Sequence, residues 1–302
     1  MSVTAAGVGP ERLCGIGDEA AAGLLDQIRV HRELGFHALE VRSLDGVGLH
    51  NLPEDSVRAI AETLTAVGMV VPVLDTPIGS WAVSVTGDFG LEIDILRRAT
   101  RRALLLGCRT LRVMSYPNDG LPEGEWRTEV FRRMRHLTGL AEDAGVVLLH
   151  ENCNGWAGQG AQQSLDLVTS IDSPALRLLF DIGNGLAYGY DSLEFLRQTL
   201  PWVEHVHVKD GVRDADGSAV FGLPGEGAAH VRACMELLEN AGYRGWYSIE
   251  PHVALIPHLG ISADGAEMES AYTAYGRRFT ELASAVATVP AAPFARRART
   301  DA

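Results

Sequence analysis

Short runs of apolar, often β-branched residues alternate with longer amphipathic stretches along most of the chain. In the longer stretches, apolar positions recur three or four residues apart, which is the spacing of a helix with one buried face. This alternation is typical of βα units on a parallel sheet. Eight runs predict strands, at about residues 12–16, 37–43, 69–75, 108–115, 146–152, 176–182, 203–210 and 246–251. The predicted helices lie at about 20–35, 55–67, 88–107, 125–145, 162–171, 191–200, 228–242 and 266–286.

Eight units in this length predict a single (β/α)8 barrel, a fold that typically takes about 250 residues. We assign residues 1–289 to the barrel and expect residues 290–302 to form a disordered tail. A doubly wound open sheet is the alternative architecture. It would place a G-x-G-x-x-G phosphate turn after the first strand, where this chain has CGIGDEA. The sequence therefore predicts an α/β barrel without a nucleotide cofactor.

Composition limits the partners. Of the 302 residues, 39 are acidic and 26 basic, which gives a formal net charge of −13. Nucleic-acid binding needs a cationic surface, so this balance disfavours it. The chain shows no apolar run long enough to cross a bilayer, no secretion signal, and four widely spaced cysteines expected to be reduced. We expect a cytoplasmic protein that binds neither nucleic acid nor membrane.

Polar residues end four successive predicted strands in the second half of the chain. They are Glu151, Asp181, His207 and Glu250. A lone buried charge at such a position would be costly, and the carboxyl ends of barrel strands converge on one face. Three carboxylates and an imidazole suit a divalent cation, with Mn²⁺ favoured and Mg²⁺, Co²⁺ or Zn²⁺ as alternatives. The pattern predicts a metal site built from these four residues.

An ordered series of short motifs runs through the same region: E-N at 151–152, F-D-I-G-N at 180–184, H-V-K-D at 207–210, G-E-G at 225–227 and S-I-E at 248–250. With these motifs the chain, from about Leu13 to Val286, resembles the xylose isomerase-like TIM barrels. This is the sugar isomerase/epimerase superfamily, which also includes endonuclease IV. The resemblance implies a catalytic divalent metal held by Glu151, Asp181, His207 and Glu250. In the ketose epimerase branch, the two glutamates also act as acid and base.

Three further residues are candidates for catalysis or substrate binding on the same face. Lys209 can neutralise an enolate oxygen or a phosphate, or it can pair with Asp210 or another acid at the end of the barrel. Asn184 stands where many relatives carry a histidine. It can hydrogen-bond a substrate hydroxyl but cannot exchange a proton at neutral pH, so the substrate or reaction can differ from that of the epimerases. His252 shares a strand face with Glu250 and is expected to face the substrate.

The other polar candidates lie on strands two and five. Glu40 and Arg42 share one face of the second strand. Glu40 resembles the strand-two glutamate common in these barrels, which implies that it binds substrate or pairs with a cation; the alternative is an internal pair with an arginine such as Arg112. His150 adjoins a predicted metal ligand, and strict alternation turns it away from the barrel axis. Because strand ends often twist out of that pattern, a catalytic base at His150 stays as an alternative.

Two enzyme functions remain open. One is an isomerase or epimerase that removes a proton beside the carbonyl of a sugar or keto-sugar through a metal-stabilised enediolate. The other is the large subunit of a C-glycoside deglycosidase, a lyase that cleaves 3-oxo-C-glycosides by elimination. Trp81 and Trp156, in loops after strands three and five, could stack on a sugar or on the aromatic aglycone, or only pack in their loops. The lyase implies a small β-rich partner subunit, whereas the first function fits a homo-oligomer.

Two other classes are weaker alternatives. A DNA-repair nuclease like endonuclease IV would need several more histidines at the strand ends and a basic surface. A barrel that only binds a carbohydrate ligand would not need the complete set of four metal ligands.

Overall fold

The computed structural model describes residues 7–256, 260–262 and 264–287. The strands are Leu13–Gly15 (β1), Ser43–Leu44 (β2), Val47–Gly48 (β3), Leu74–Asp75 (β4), Thr110–Ser115 (β5), Val147–Gly155 (β6), Leu176–Asp181 (β7), Val203–Val208 (β8), Asp210–Arg213 (β9), Ala219–Gly222 (β10), Tyr247–Ile249 (β11), Leu255–Ile256 (β12) and Ile261–Ser262 (β13). The α-helices are Leu24–Glu33 (α1), Glu54–Ala66 (α2), Phe89–Leu105 (α3), Glu123–Asp143 (α4), Ala161–Ile171 (α5), Asn184–Tyr188 (α6), Ser192–Thr199 (α7), Val231–Asn240 (α8) and Gly265–Ser284 (α9).

Seven of these strands form one parallel sheet, in the order β1-β11-β8-β7-β6-β5-β4. The segment 38–41 closes it into a ring, because Glu40 bridges to Ile16 just after β1 and Val41 bridges to Leu74 in β4. The predicted (β/α)8 barrel is therefore confirmed. All barrel strands point the same way, so their carboxyl ends open on one face.

The structure differs from the predicted elements in three respects, the first being the short helix α6, which no predicted helix covers. The second barrel strand forms only isolated bridges and not a continuous ladder. Three antiparallel hairpins, β2–β3, β9–β10 and β12–β13, follow the second, seventh and eighth barrel strands. Their strands are two to four residues long, too short to show a periodic pattern in the sequence. The predicted tail at 290–302 lies outside the described residues.

The apolar core lies between the barrel strands and the surrounding helices. Met134 of α4 and Phe279 of α9, for example, are fully buried there. The barrel interior instead holds buried polar side chains, among them Glu40, Asp75 and His205. Burying such groups is costly unless they are paired, and here His205 meets Glu40 at 2.9 Å and Arg112 lies 3.5 Å from Asp75. Within the described ranges, none of the helices has the length and apolar character needed to cross a bilayer.

The Asp210 carboxylate holds the loop that follows the β9–β10 hairpin. It accepts hydrogen bonds from the backbone N–H groups of Gly211, Gly225, Gly227 and Ala229, at 2.7 to 3.2 Å. A Cβ at position 227 would lie 2.3 Å from the Asp210 Oδ1 and from the Gly211 carbonyl oxygen. The glycine at position 227 of the G-E-G motif therefore permits the loop backbone to approach Asp210 and Gly211 closely. Asp210 is used in holding this loop, and it is not the partner of Lys209, which pairs with Asp181 and Glu250.

Candidate metal centre

Glu151, Asp181, His207 and Glu250 meet at the carboxyl end of the barrel. One potential ligand atom of each lies within 4.8 Å of the others, and all four side chains are buried. We call these residues the quartet. Asp181 pairs in register with His207 across β7 and β8, and Glu250 directly follows β11. The parallel register thus brings together residues that are 99 positions apart along the chain (151 to 250).

The imidazole of His207 fits a cation-binding role. Its Nε2 lies 3.0 Å from Glu40 Oε1, which accepts a hydrogen bond from it. Its Nδ1 is buried and faces the carboxylates: it lies 3.5 Å from Glu250 Oε2 and 3.9 Å from oxygens of Glu151 and Asp181. Metal-binding histidines commonly donate their second ring N–H to a carboxylate in this way. The quartet therefore offers a directed nitrogen and three carboxylates, a donor set that suits Mn²⁺, Co²⁺ or Zn²⁺.

Electrostatics in the quartet also favour a bound cation. Burial, together with the nearby Glu250 and Glu151, raises the pKa of Asp181 to about 7 against the opposing effect of Lys209. Burial would also raise the pKa of Glu250, but Lys209, His252 and His207 hold it well below its usual range. Three carboxylates this close compete for protons, and a divalent cation would remove that competition.

A cavity of about 510 Å³ opens over the quartet. Glu151 and Glu250 line it. Each glutamate turns one oxygen to the quartet and the other to an arginine: Glu151 Oε2 lies 3.3 Å from Arg112, and Glu250 Oε1 lies 3.4 Å from Arg42. Two barrel strands, β7 and β8, separate the positions of the two glutamates in the sheet, so their side chains reach the site from different strands.

Lys209 is the only lysine among the 26 lysine and arginine residues, and it lies buried in this site. Its Nζ lies 2.7 Å from Glu250 Oε2 and 2.9 Å from Asp181 Oδ2. Burial would lower its pKa, but these acids raise it, so the side chain is an ammonium ion. Asn184 joins the same network, since it donates to Glu151 Oε1 and accepts from Lys209.

Aromatic and imidazole side chains form much of the outer wall of the cavity. Trp81 and Tyr188 line it and are 50% and 42% exposed, and Phe221 of β10 lines it beside the ring of His252. Burial, with Lys209 nearby, lowers the pKa of His252 to about 4. His252 has a φ of +50°, and its backbone N–H donates to Glu19 Oε2. A non-glycine residue held in this conformation is a common mark of a functional loop.

Three sequence-based assignments need correction. His150 is buried on the opposite face of β6 from Glu151 and does not line the cavity, and burial lowers its pKa to about 3. It therefore has no access to a substrate in this cavity. Trp156 is also buried, in edge-to-face contact with Phe131, so it packs in the core. Glu40 lies below the quartet and pairs with His205 and His207 instead of with a substrate or Arg112.

Other residues of the site were not identified from the sequence. Asp75, at the end of the third barrel strand, lines the cavity and lies 3.5 Å from Arg112 Nε. Its position after the run MVVPVL is the same signal that marked the quartet. Asp18 pairs with Arg42 at 2.8 Å, and His50 lines the cavity from the loop after β3. Those two lie in three-residue 3-10 helices, which are too short for a periodic pattern to distinguish them.

The barrel and the quartet together define the class: an α/β barrel with a candidate cation site at the carboxyl ends of its strands. The chain belongs to the xylose isomerase-like TIM barrel family, whose sequence profile matches residues 28–272. Among curated relatives, it is 28% identical over 142 residues to an inosose dehydratase of Bacillus thuringiensis, covering 42% of this chain and 47% of that protein. It is 32% identical over 160 residues to a 2-epi-5-epi-valiolone 7-phosphate 2-epimerase of an Actinoplanes species, covering 53% and 56%. The chain thus spans about half the length of these relatives.

Solved structures show the same fold over nearly the whole chain. A xylose isomerase domain protein from Planctomyces limnophilus superposes with a TM-score of 0.71 at 20% identity, covering 93% of this chain and 99% of that one. The 3-keto-D-glucoside 4-epimerase YcjR from E. coli gives 0.67 at 17% identity, covering 90% and 98%. The IolI protein, which was solved with a bound zinc atom, gives 0.71 at 16% identity, covering 91% and 99%.

Proposed function

We propose that this protein is a divalent-metal-dependent sugar enzyme that moves a proton on a carbon beside a carbonyl group, in the manner of an isomerase or epimerase. The observation that supports this most directly is that the two glutamates of the quartet, from strands separated by β7 and β8, both line the cavity. Each glutamate is anchored by an arginine through one oxygen, which leaves its other oxygen at the quartet. The epimerase and dehydratase names among the relatives support chemistry of this kind.

The mechanism assigns a role to each group. Glu151, Asp181, His207 and Glu250 would hold the cation, which supplies Lewis-acid stabilisation of negative charge on the substrate oxygens. One glutamate takes the proton from carbon, and the other returns a proton from the opposite side. Arg42 and Arg112 keep the two carboxylates oriented. The Lys209 ammonium stabilises the negative charge of the Asp181 and Glu250 carboxylates. Asn184 orients Glu151 through a hydrogen bond.

The cavity favours an uncharged substrate. Each lysine or arginine in its described lining already forms an ion pair: Arg42 with Asp18, Arg112 with Glu151, and Lys209 with Asp181 and Glu250. Burial, with arginines nearby, lowers the pKa of His50, so this imidazole adds no positive charge at neutral pH. A phosphate would therefore find no unpaired lysine or arginine side chain among the described lining residues, and we propose an unphosphorylated keto-sugar as substrate.

Solvent exchange tests this proposal. In D₂O with Mn²⁺, we expect the protein to incorporate deuterium at the carbon beside the carbonyl of an unphosphorylated keto-sugar, detected by loss of that proton signal in NMR. Chelator-treated protein and the phosphorylated counterpart of the active sugar serve as controls, and both should show little exchange. Absence of exchange across a broad keto-sugar panel, with metal demonstrably bound, would refute the proposal.

A second candidate is the lyase acting on 3-oxo-C-glycosides, and the aromatic wall of the cavity favours it. Trp81, Tyr188 and Phe221 line the cavity and offer ring faces against which an aromatic aglycone could pack. The β9–β10 hairpin at the rim would also offer Val212 and Val220, cross-strand partners that are about half exposed, to a small partner subunit.

Release of free aglycone distinguishes this candidate. With a 3-oxo-C-glucoside and the small subunit supplied, the lyase predicts aglycone release, and Trp81→Ala should raise KM for the aryl substrate by about 5- to 10-fold, as expected for loss of one aromatic contact of about 1 kcal/mol. Leu91→Ala, which removes an exposed side chain of α3, is the matched control. Deuterium exchange without any aglycone release would leave the epimerase as the surviving function.

A further inference from the structure

A carboxylate shared by two imidazoles lies directly beneath the quartet. Glu40 Oε1 accepts from His207 Nε2 at 3.0 Å, and Glu40 Oε2 accepts from His205 Nε2 at 2.9 Å. None of the three side chains is more than 2% exposed, so water does not replace these contacts. The two rings lie nearly perpendicular, with centroids 5.5 Å apart, so each meets its own carboxylate oxygen.

The position of the hydrogens follows from this geometry. An ionised carboxylate only accepts hydrogen bonds, so both Nε2 atoms that face Glu40 must carry hydrogen. Each Glu40 oxygen faces one imidazole Nε2, at 2.9 and 3.0 Å, which is the arrangement of a carboxylate that accepts two hydrogen bonds. His207 therefore keeps a hydrogen on Nε2, and Nδ1, 3.5 to 3.9 Å from the three carboxylates, is left as the nitrogen for a cation. A metal binds a ring nitrogen only through its free lone pair.

We infer that Glu40 is a positioning residue that determines which nitrogen of His207 binds the cation. The inference rests on the proposed function only in requiring that the quartet bind a divalent cation. Glu40 itself does not line the cavity, so its effect reaches the substrate only through His207.

Glutamine at position 40 provides a sharp test, because it has one accepting oxygen and one donating NH₂ group. It can accept from only one of the two Nε2–H groups. The other histidine then meets a donor and must move its proton to Nδ1. When that histidine is His207, the Nδ1–H points into the quartet and blocks the cation.

We therefore expect Glu40→Gln to weaken Zn²⁺ and Mn²⁺ binding by about 10- to 100-fold, measured by calorimetry and without any substrate. His205→Leu alone should bind within about threefold of the native protein, because Glu40 still accepts from His207. The double variant Glu40→Gln/His205→Leu should bind more tightly than Glu40→Gln, since the glutamine oxygen is then free for His207. Native affinity in Glu40→Gln, or no recovery in the double variant, would overturn the inference.

Nitrogen NMR of the native protein gives a second test that does not depend on variant folding. In the Zn²⁺-loaded protein, we expect His207 to show a protonated Nε2 and a metal-bound Nδ1. A metal-bound Nε2 would overturn the assignment of Glu40. A native protein that binds no cation, yet keeps the hydrogen on His207 Nε2, would instead contradict the proposed function and leave the role of Glu40 in fixing this proton intact.

Discussion

The Glu250→Gln variant is expected to lose at least about a thousandfold in kcat while keeping the native fold. The substitution removes a group of the quartet that would serve both as a cation ligand and as an acid or base, and loss of general acid–base catalysis alone typically costs 10²–10⁴-fold. Glutamine keeps the volume and can still accept from Arg42 through its amide oxygen. Turnover of the keto-sugar identified by deuterium exchange, measured with saturating Mn²⁺, checks the result.

The matched control is Glu226→Gln, which alters an exposed glutamate of the G-E-G loop whose partner is Arg278. It should leave kcat unchanged, and both variants should match the native circular dichroism spectrum. If Glu250→Gln turned over at the native rate, Glu250 would have no place in the mechanism.

The Lys209→Met variant should have the largest effect on stability. Asp181 and Glu250 would lose the ammonium that lies within 2.9 Å of both, and they are buried at the quartet. Removal of one partner from a buried ion pair typically costs about 3–5 kcal/mol in the free energy of unfolding. At about 2–4 °C per kcal/mol, the Tm of the metal-free protein should fall by roughly 6–20 °C.

Divalent metal should restore much of this loss. A cation in the quartet supplies the positive charge that the variant lacks, so Mn²⁺ should raise the Tm of Lys209→Met more than that of the native protein. Arg29→Met removes an exposed cation paired with Glu269 on the surface, and it should shift Tm by no more than about 2 °C. An unchanged Tm in Lys209→Met, or equal metal-induced shifts in both proteins, would show that Lys209 does not neutralise these acids.

The fold could be predicted from the sequence because its signals are local and repeated. Eight apolar runs alternate with amphipathic stretches, and the structure shows the barrel that they indicate. The quartet could be predicted from the sequence for the same reason, because each of its four residues follows an apolar run. They are Glu151, Asp181, His207 and Glu250. In a parallel barrel, that shared position alone brings side chains to one face.

Which side chains pair across different strands could not be predicted in this way. The choice of His207 over Arg112 as the partner of Glu40 depends on the register and tilt of strands that are distant in sequence. Trp156 shows the same limit, because a loop sequence does not reveal whether a ring turns to the cavity or to the core. Side-chain direction in loops is set by tertiary packing and leaves no periodic trace.

Metal content tests the central claim most directly. After dialysis against Mn²⁺ or Zn²⁺ and removal of free ion, elemental analysis should find one equivalent of metal in the native chain and less than about a tenth in Asp181→Asn. Asp181 also accepts hydrogen bonds from the backbone N–H groups of Gly183 and Asn184. Because the substitution could disturb these bonds, the fold of the variant is checked by circular dichroism. Native protein that retains no divalent ion, or equal metal in both proteins, would contradict a cation held by these four side chains.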